Sequence, residues 1–152
     1  MFRDLTRKKN KMNDMELVKL LKEGMFGVLG TISDNGYPYT IPLNYIFYNN
    51  KIYFHSAKIG HKIDNILASE KVSFTVVGNE EIIPEKFSTK YQSVTLFGKA
   101  KILSGNKEIL FEIIKKYSPN YLVLGKEYVN KEYDSAIIVE IEIEYITGKE
   151  RK

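Results

Sequence analysis

The segment TISDNGYPYTIPLNY, residues 31–45, reads as two β-strands folded back on one another. Asn35-Gly36 tolerates the positive φ angles that a tight hairpin demands, and β-branched and aromatic residues flank it on both sides. Met25 to Ser33 is the outgoing strand, and Tyr37 to Tyr48 is a long returning one. Pro38 and Pro42 cannot donate to a ladder, so the returning strand belongs at a sheet edge or a bulge. Asn49-Asn50 then turns the chain into a third strand, Ile52 to His55. Three strands joined by turns predict an antiparallel meander.

Outside this segment the apolar period changes in a consistent order. Asn13 and Asp14 can cap a helix ending at Gly24, with Met15, Val18, Leu20 and Leu21 on its apolar face. The stretch IYFHSAKIGHKIDNI, residues 52–66, runs from a strand into a helix over 58–68, with Ser56 as its N-cap and Ile59, Ile63 and Ile66 at helical spacing. Val72, Phe74 and Val76 alternate with polar residues in a half-buried strand. Residues 78–90 are less regular, and 92–103 form another strand. A helix from Lys107 to Lys116 carries Ile109, Leu110, Ile113 and Ile114 on one stripe and stops at Ser118-Pro119. Last comes a strand from Ser135 to Ile146, whose Glu140, Glu142 and Glu144 form a wet face. Six antiparallel strands with three helices predict a mainly β protein, a small barrel with peripheral helices.

Composition limits what such a barrel does. The 152 residues suit one domain, with residues 1–12 a flexible or dimer-contacting arm. A net charge of +4, with lysines scattered along the chain, gives no nucleic-acid stripe. No cysteine is present, so disulfides and thiol nucleophiles are excluded, and with two histidines no metal site is expected. No apolar run spans a bilayer, and the basic residues 1–12 lead into no signal core. The expectation is a cytoplasmic protein.

The chemistry gathers at residues 52–66. A helix start leaves amides free to meet an anion, and Lys58 and Lys62, four apart, would share one helical face beside it. A solvated helix face is the other reading of that pair. His55 is either a partly buried structural histidine or a functional one, and His61 is a helix-surface residue or a neighbour of the anion. The aromatics Tyr37, Tyr39, Tyr45, Phe47 and Tyr48 serve a ligand surface or plain strand packing.

Four motifs in order, GYPYTIPLNY at 36–45, IYFHSAKIGHK at 52–62, YQSVTLFGKA at 91–100 and IEIEYITGK at 141–149, resemble the FMN-binding split-barrel superfamily typified by pyridoxamine 5'-phosphate oxidase, most of all its nitroimidazole-reductase branch. The resemblance covers nearly the whole chain. It implies a six-stranded antiparallel split barrel, a homodimer and FMN at each subunit interface. Pro42, Leu43, Asn44 and Tyr45 would lie along the isoalloxazine, while Ser56, Ala57, Lys58, His61 and Lys62 would surround the phosphate. His55 would sit near the ribityl chain or ring, with a catalytic role tied to the substrate side. Gln92, Ser93 and Val94 would come from a strand near the interface and face the partner's flavin.

These residue types suit that cofactor. A phosphate is met by charge-assisted bonds from lysine, and an isoalloxazine by an apolar slot with a few donors. FMN carries the electrons itself, so no side-chain nucleophile is required. The chain departs from true pyridoxamine-phosphate oxidases in its arginines, which are only Arg3, Arg7 and Arg151, so vitamin B6 oxidation is not expected. No Walker loop or GxGxxG unit is present, and NAD(P)H or another reductant would dock transiently. The expected function is an FMN-dependent oxidoreductase reducing a small organic acceptor such as a nitroaromatic. A non-catalytic flavin-binding or electron-transfer protein is the alternative, and a haem- or deazaflavin-binding relative a third.

Overall fold

Helix α1 (Asp14–Glu23) starts where the Asn13 side chain accepts the Glu16 amide at 2.8 Å, and it stops at Gly24. The computed structural model describes all residues from Met1 to Lys152. Strands β1 (Gly27–Ile32), β2 (Pro38–Leu43), β3 (Ile46–Tyr48), β4 (Lys51–Ser56), β5 (Lys71–Ile83), β6 (Ser88–Ser104) and β7 (Ile137–Arg151) form one antiparallel sheet, ordered β2-β1-β5-β6-β7-β4-β3. Three further helices, α2 (His61–Ala68), α3 (Lys107–Tyr117) and α4 (Leu122–Glu132), lie outside it.

The sheet has seven strands rather than six because the expected returning strand breaks in two at Asn44-Tyr45. Its halves do not stay together: β2 pairs with β1, and β3 pairs with β4 at the opposite edge. The meander is therefore replaced by a corner at which the chain crosses from one sheet edge to the other. Only a strongly curled sheet lets two residues make that crossing, so the edges approach without joining and a seam is left between them. Pro38 and Pro42 lie on an edge strand, where a missing amide costs no ladder bond.

Along the curl, alternate residues fill the inside. Leu29, Phe54, Phe74, Leu96 and Val139 are fully buried there against Leu17, Leu20 and Leu21 of α1. Strand β4 is buried on both faces. Ile52 and Phe54 point into the barrel, while Tyr53 packs outward with Ile46 and Ile138 beneath Ile109 and Ile113 of α3. That double burial explains why its sequence reads as a near-continuous apolar run.

Several other expectations change. Residues 78–90 continue β5 into β6 through a bulge near Asn79 and a tight 3-10 turn at Pro84–Lys86. A fourth helix, α4, occupies a segment whose apolar residues follow no clear period. Its Gly125 meets α3 so closely that an added Cβ would lie 2.3 Å from Ile114 Cγ2, tighter than any side chain allows. Glu140 is not on a wet face: it accepts the Tyr53 hydroxyl at 2.9 Å and pairs with Lys51 at 3.2 Å. Glu142 and Glu144 are exposed as expected. The first residues run beside β7, where the Met12 amide donates to the Gly148 carbonyl and Phe2 stacks on Phe97 and Tyr145.

Candidate functional site

The corner between β2 and β3 is held by the end of α3. Tyr117 Oη accepts the Tyr45 amide at 2.9 Å and shares its own proton between the carbonyls of Tyr45, at 2.7 Å, and Met25, at 2.9 Å. Lys116 Nζ donates to the carbonyls of Gly24 and Tyr45, the latter at 3.0 Å, and sits 4.1 Å from the centre of the Tyr45 ring. No carboxylate pairs with it, and burial lowers its pKa to about 8. The Tyr45 ring is fully buried in the core with its hydroxyl donating to the Leu21 carbonyl at 2.7 Å, and burial raises its pKa. Tyr45 therefore faces the barrel interior. Asn44 is exposed, its amide nitrogen donating to the Met25 carbonyl at 3.0 Å. Pro42 is exposed and Leu43 half-buried against the core.

His55, near the end of β4, shares a small pocket with Asn44. Burial, then the charge of Lys62, lowers its pKa, so the ring is neutral at pH 7. The next residue, Ser56, is buried and turns its hydroxyl to the Ala57 carbonyl at 3.0 Å instead of capping a helix. Helix α2 begins only at His61, with Gly60 as N-cap at φ 147°, a conformation reserved for glycine. Lys58 therefore lies in the loop, and the expected shared helical face with Lys62 does not form.

The loop gains something from this arrangement. None of the amides from Ala57 to Lys62 donates to a backbone carbonyl, and neither Lys58 nor Lys62 pairs with a carboxylate. Just beyond, α2 is bolted to the β1–β2 hairpin. His61 Nε2 lies 3.0 Å from Ser33 Oγ with its ring 4.0 Å from that of Tyr39, and Asn65 Nδ2 donates to Thr31 Oγ1 at 3.0 Å and Ser33 Oγ at 3.3 Å. His61 thus anchors the start of the helix.

Gln92, Ser93 and Val94 are not brought to this place within one chain. Strand β7 aligns Ser56 with Ser104 through Ile137, so Gln92 lies roughly 40 Å along β6 from there at about 3.3 Å per residue. Gln92 joins Glu16, Glu150 and Asn79, and Val94 is core. Ser93 lies on the outer sheet face, in register with Val77 and Lys149. That face is apolar and uncovered, with Val77 58% and Val28 41% exposed, beside threonines 75 and 95, whose hydroxyls meet at 3.2 Å.

Residue-by-residue reading of the sequence passes over Tyr117, Lys116 and Asn65. Tyr117 continues the α3 stripe seven residues after Leu110, and Asn65 is a polar residue between Ile63 and Ile66 on the buried side of α2. Those spacings are the available signals. Nothing local marks Lys116.

Among curated proteins none matches this chain. Solved structures do. An FAD- and haem-binding protein of Mycobacterium smegmatis superposes with a TM-score of 0.82 at 15% identity over 95% of this chain and 74% of its own. An FAD-binding protein of Mesorhizobium loti gives 0.66 at 24% identity, covering 93% and 97%. A Bacteroides thetaiotaomicron protein provisionally assigned to 5-nitroimidazole antibiotic resistance gives 0.65 at 17% identity, covering 90% and 83%. All share the curled, unclosed antiparallel sheet of the split barrel. The family model described as pyridoxamine 5'-phosphate oxidase matches residues 13–150, and the chain belongs to that family.

Proposed function

We propose that this chain is one FMN-binding domain that pairs as a homodimer and works as an oxidoreductase, reducing a small organic acceptor at the expense of NAD(P)H or a similar donor. The observation that carries the reading is the 57–62 loop, where successive unpaired amides stand beside two lysines that no carboxylate neutralises. A phosphate brings about two negative charges and three acceptor oxygens, which is what such a loop lacks. The fit extends to the ring system. Strand β2 is a free edge with unpaired backbone groups along one side, next to Leu43 and Asn44.

Lys58, Lys62 and the loop amides would hold the phosphate, with Ser56 able to rotate toward it and His61 keeping the helix start in place. Pro42, Leu43 and Asn44 would line the ring. Tyr45 supports them from inside rather than touching it. When bound, a flavin supplies reversible one- and two-electron chemistry, and the protein's part is to position it and exclude water. The apolar outer face with Val28, Val77, Ser93 and Thr95 would be covered by the second protomer, which would bring Ser93 toward the partner's flavin. Vitamin B6 oxidation is not part of this reading, since the chain's arginines are only Arg3, Arg7 and Arg151.

The relatives that bind FAD favour flavin as the cofactor class, and one of them binds haem as well. Haem at His55 is the weaker reading, since the pocket beside that residue measures about 190 Å³. A cavity of about 150 Å³ holds one benzene ring. A macrocycle needs several times that.

The test is the visible spectrum of the purified protein, before and after FMN addition and desalting, with NADH or NADPH then added without oxygen. Retained paired flavin bands that bleach are expected. Retained flavin that no nicotinamide bleaches favours a flavin carrier, and failure to retain FMN or FAD sinks the proposal.

A further inference from the structure

Strands β5 and β6 run on past the barrel. β1 last meets β5 at Thr75 and β7 first meets β6 at Tyr91, so residues 80–90 pair only with each other. All of them but Ile83 and Ser88 are exposed. A two-stranded ribbon standing alone in water is marginally stable. This one also ends in apolar groups: Ile82 is 75% and Phe87 97% exposed, and Phe87 sits at φ 48°, where bulky residues are rare. The turn at Pro84–Lys86 thus presents the Phe87 ring to solvent.

A second apolar surface is left bare where α3 passes into α4. Tyr121, Leu122, Val123 and Leu124 follow one another there, and Val123 is 77% exposed. With Pro119 and Asn120 they line an open groove of about 380 Å³. A cavity of about 150 Å³ holds one benzene ring, so the groove has room for a phenylalanine side chain and an isoleucine beside it.

These two surfaces belong to opposite ends of β6. The ribbon precedes Tyr91, whereas α3 follows Ser104, and α4 leads back to Ile137, which is in register with Ser104. Between the ends stands the bare outer face of the sheet, centred on the Thr75 and Thr95 pair with Val28, Val77 and Ser93 around it. A two-fold axis normal to the sheet at that centre would set a second copy's β6 antiparallel to this one. From Thr95 the chain runs roughly 26 Å back to Phe87 and roughly 30 Å forward to Ser104, at about 3.3 Å per residue. The overhang of one copy therefore matches the reach to the helical end of the other.

We propose that the β5–β6 ribbon docks on a second copy of this chain, seating Ile82 and Phe87 in the groove at the start of the second copy's α4. The proposal rests on the homodimer of the preceding reading and adds to its face-to-face contact two reciprocal clasps, one from each protomer. It requires no flavin.

The chain contains neither cysteine nor tryptophan, so an introduced one reports alone. Phe87→Cys and Val123→Cys, both at exposed positions, are combined in the full chain and mildly oxidised in dilute solution, with and without FMN. A disulfide-linked dimer is expected from the double variant and from neither single one. Phe87→Trp supplies an optical readout, with emission that should shift to the blue as light scattering shows the dimer forming. Phe87→Ser should raise the dimer dissociation constant about tenfold or more while circular dichroism stays unchanged. A dimer whose two cysteines do not link, or whose introduced indole stays in water, refutes the ribbon's seat and leaves the homodimer standing. Linking by Phe87→Cys alone would put the two tips against each other and overturn the proposal, as would a blue-shifted indole in a monomer. A chain that stays monomeric at every concentration refutes the homodimer and the ribbon together.

Discussion

The β2–β3 corner and the 57–62 loop flank the same seam, yet they treat their backbone groups in opposite ways. At the corner the Tyr45 amide and the carbonyls of Gly24, Met25 and Tyr45 are all taken by Tyr117, Lys116 and Asn44 from within the chain. In the loop the amides from Ala57 to Lys62 go unanswered. Buried polar groups must be paired inside the protein, whereas exposed ones can wait for a ligand. The contrast separates a part that fixes geometry from a part that recognises something. Substitutions at the corner should therefore appear as stability, and substitutions in the loop as affinity.

The largest effect is expected in the loop. Lys58→Ala combined with Lys62→Ala should weaken FMN by about 2–4 kcal/mol, since each charge-assisted bond contributes about 1.5–3 kcal/mol with partial compensation. Both lysines are unpaired, so the ligand-free protein should melt unchanged. Equal FMN affinity in the double variant, read by fluorescence titration, would remove the phosphate assignment. At the corner, Tyr117→Phe leaves the Tyr45 amide without its acceptor and should cost about 2 kcal/mol of stability in urea unfolding. Its FMN affinity should move less than its stability, and the reverse order would break the contrast. A smaller effect follows from Gly60→Ala. A Cβ there meets nothing within 4 Å, but φ at 147° is strained for any side chain, at a cost of about 1 kcal/mol. Because Gly60 shapes the loop, that cost should show in FMN affinity as well as in the melt.

The same contrast explains what could be read from the sequence. The 57–62 loop is local: strand β4, residues 57–62 and α2 follow one another, so the stretch from Ile52 to Ile66 announces it, although Gly60 rather than Ser56 is the N-cap of the helix. The four motifs announce the family for a similar reason, each being one strand or turn. The corner is not local. Tyr45 and Tyr117 are joined across the fold, and no period within α3 says that its last turn will reach a strand break so far back in the chain. That break is faintly marked, because Tyr37 to Tyr45 alternates and only the apolar run Tyr45-Ile46-Phe47-Tyr48 departs from the period, while the curl of the whole sheet decides that the halves part to opposite edges. Helix α4 escaped notice because Leu122, Val123 and Leu124 are adjacent and largely exposed, which gives no helical stripe to recognise.

The finest test of the contrast lies in Lys116, whose charge is set against itself. Donation to two carbonyls and the face of the Tyr45 ring favour the ammonium, while burial without a paired carboxylate opposes it. Burial wins, and the pKa falls from 10.5 to about 8. A lysine lowered on folding binds fewer protons in the folded than in the unfolded chain between those two values, so stability should rise as pH goes from about 8 toward 10. Above about 10 the tyrosines oppose this. Tyr53, pushed up to about 12 by burial and its bond to Glu140, holds its proton in the folded chain after the unfolded one has released it, so stability there falls with pH. Nζ is only partly buried and screened by water, so the rise should be small. Urea midpoints between pH 7.5 and pH 10 should climb in the native protein and stay level in Lys116→Met, which keeps the stem over Tyr45 and discards the charge. A native midpoint that falls across that window would mean that the ammonium stabilises the corner after all, and that charge as well as hydrogen bonding holds Asn44 at the mouth of the seam.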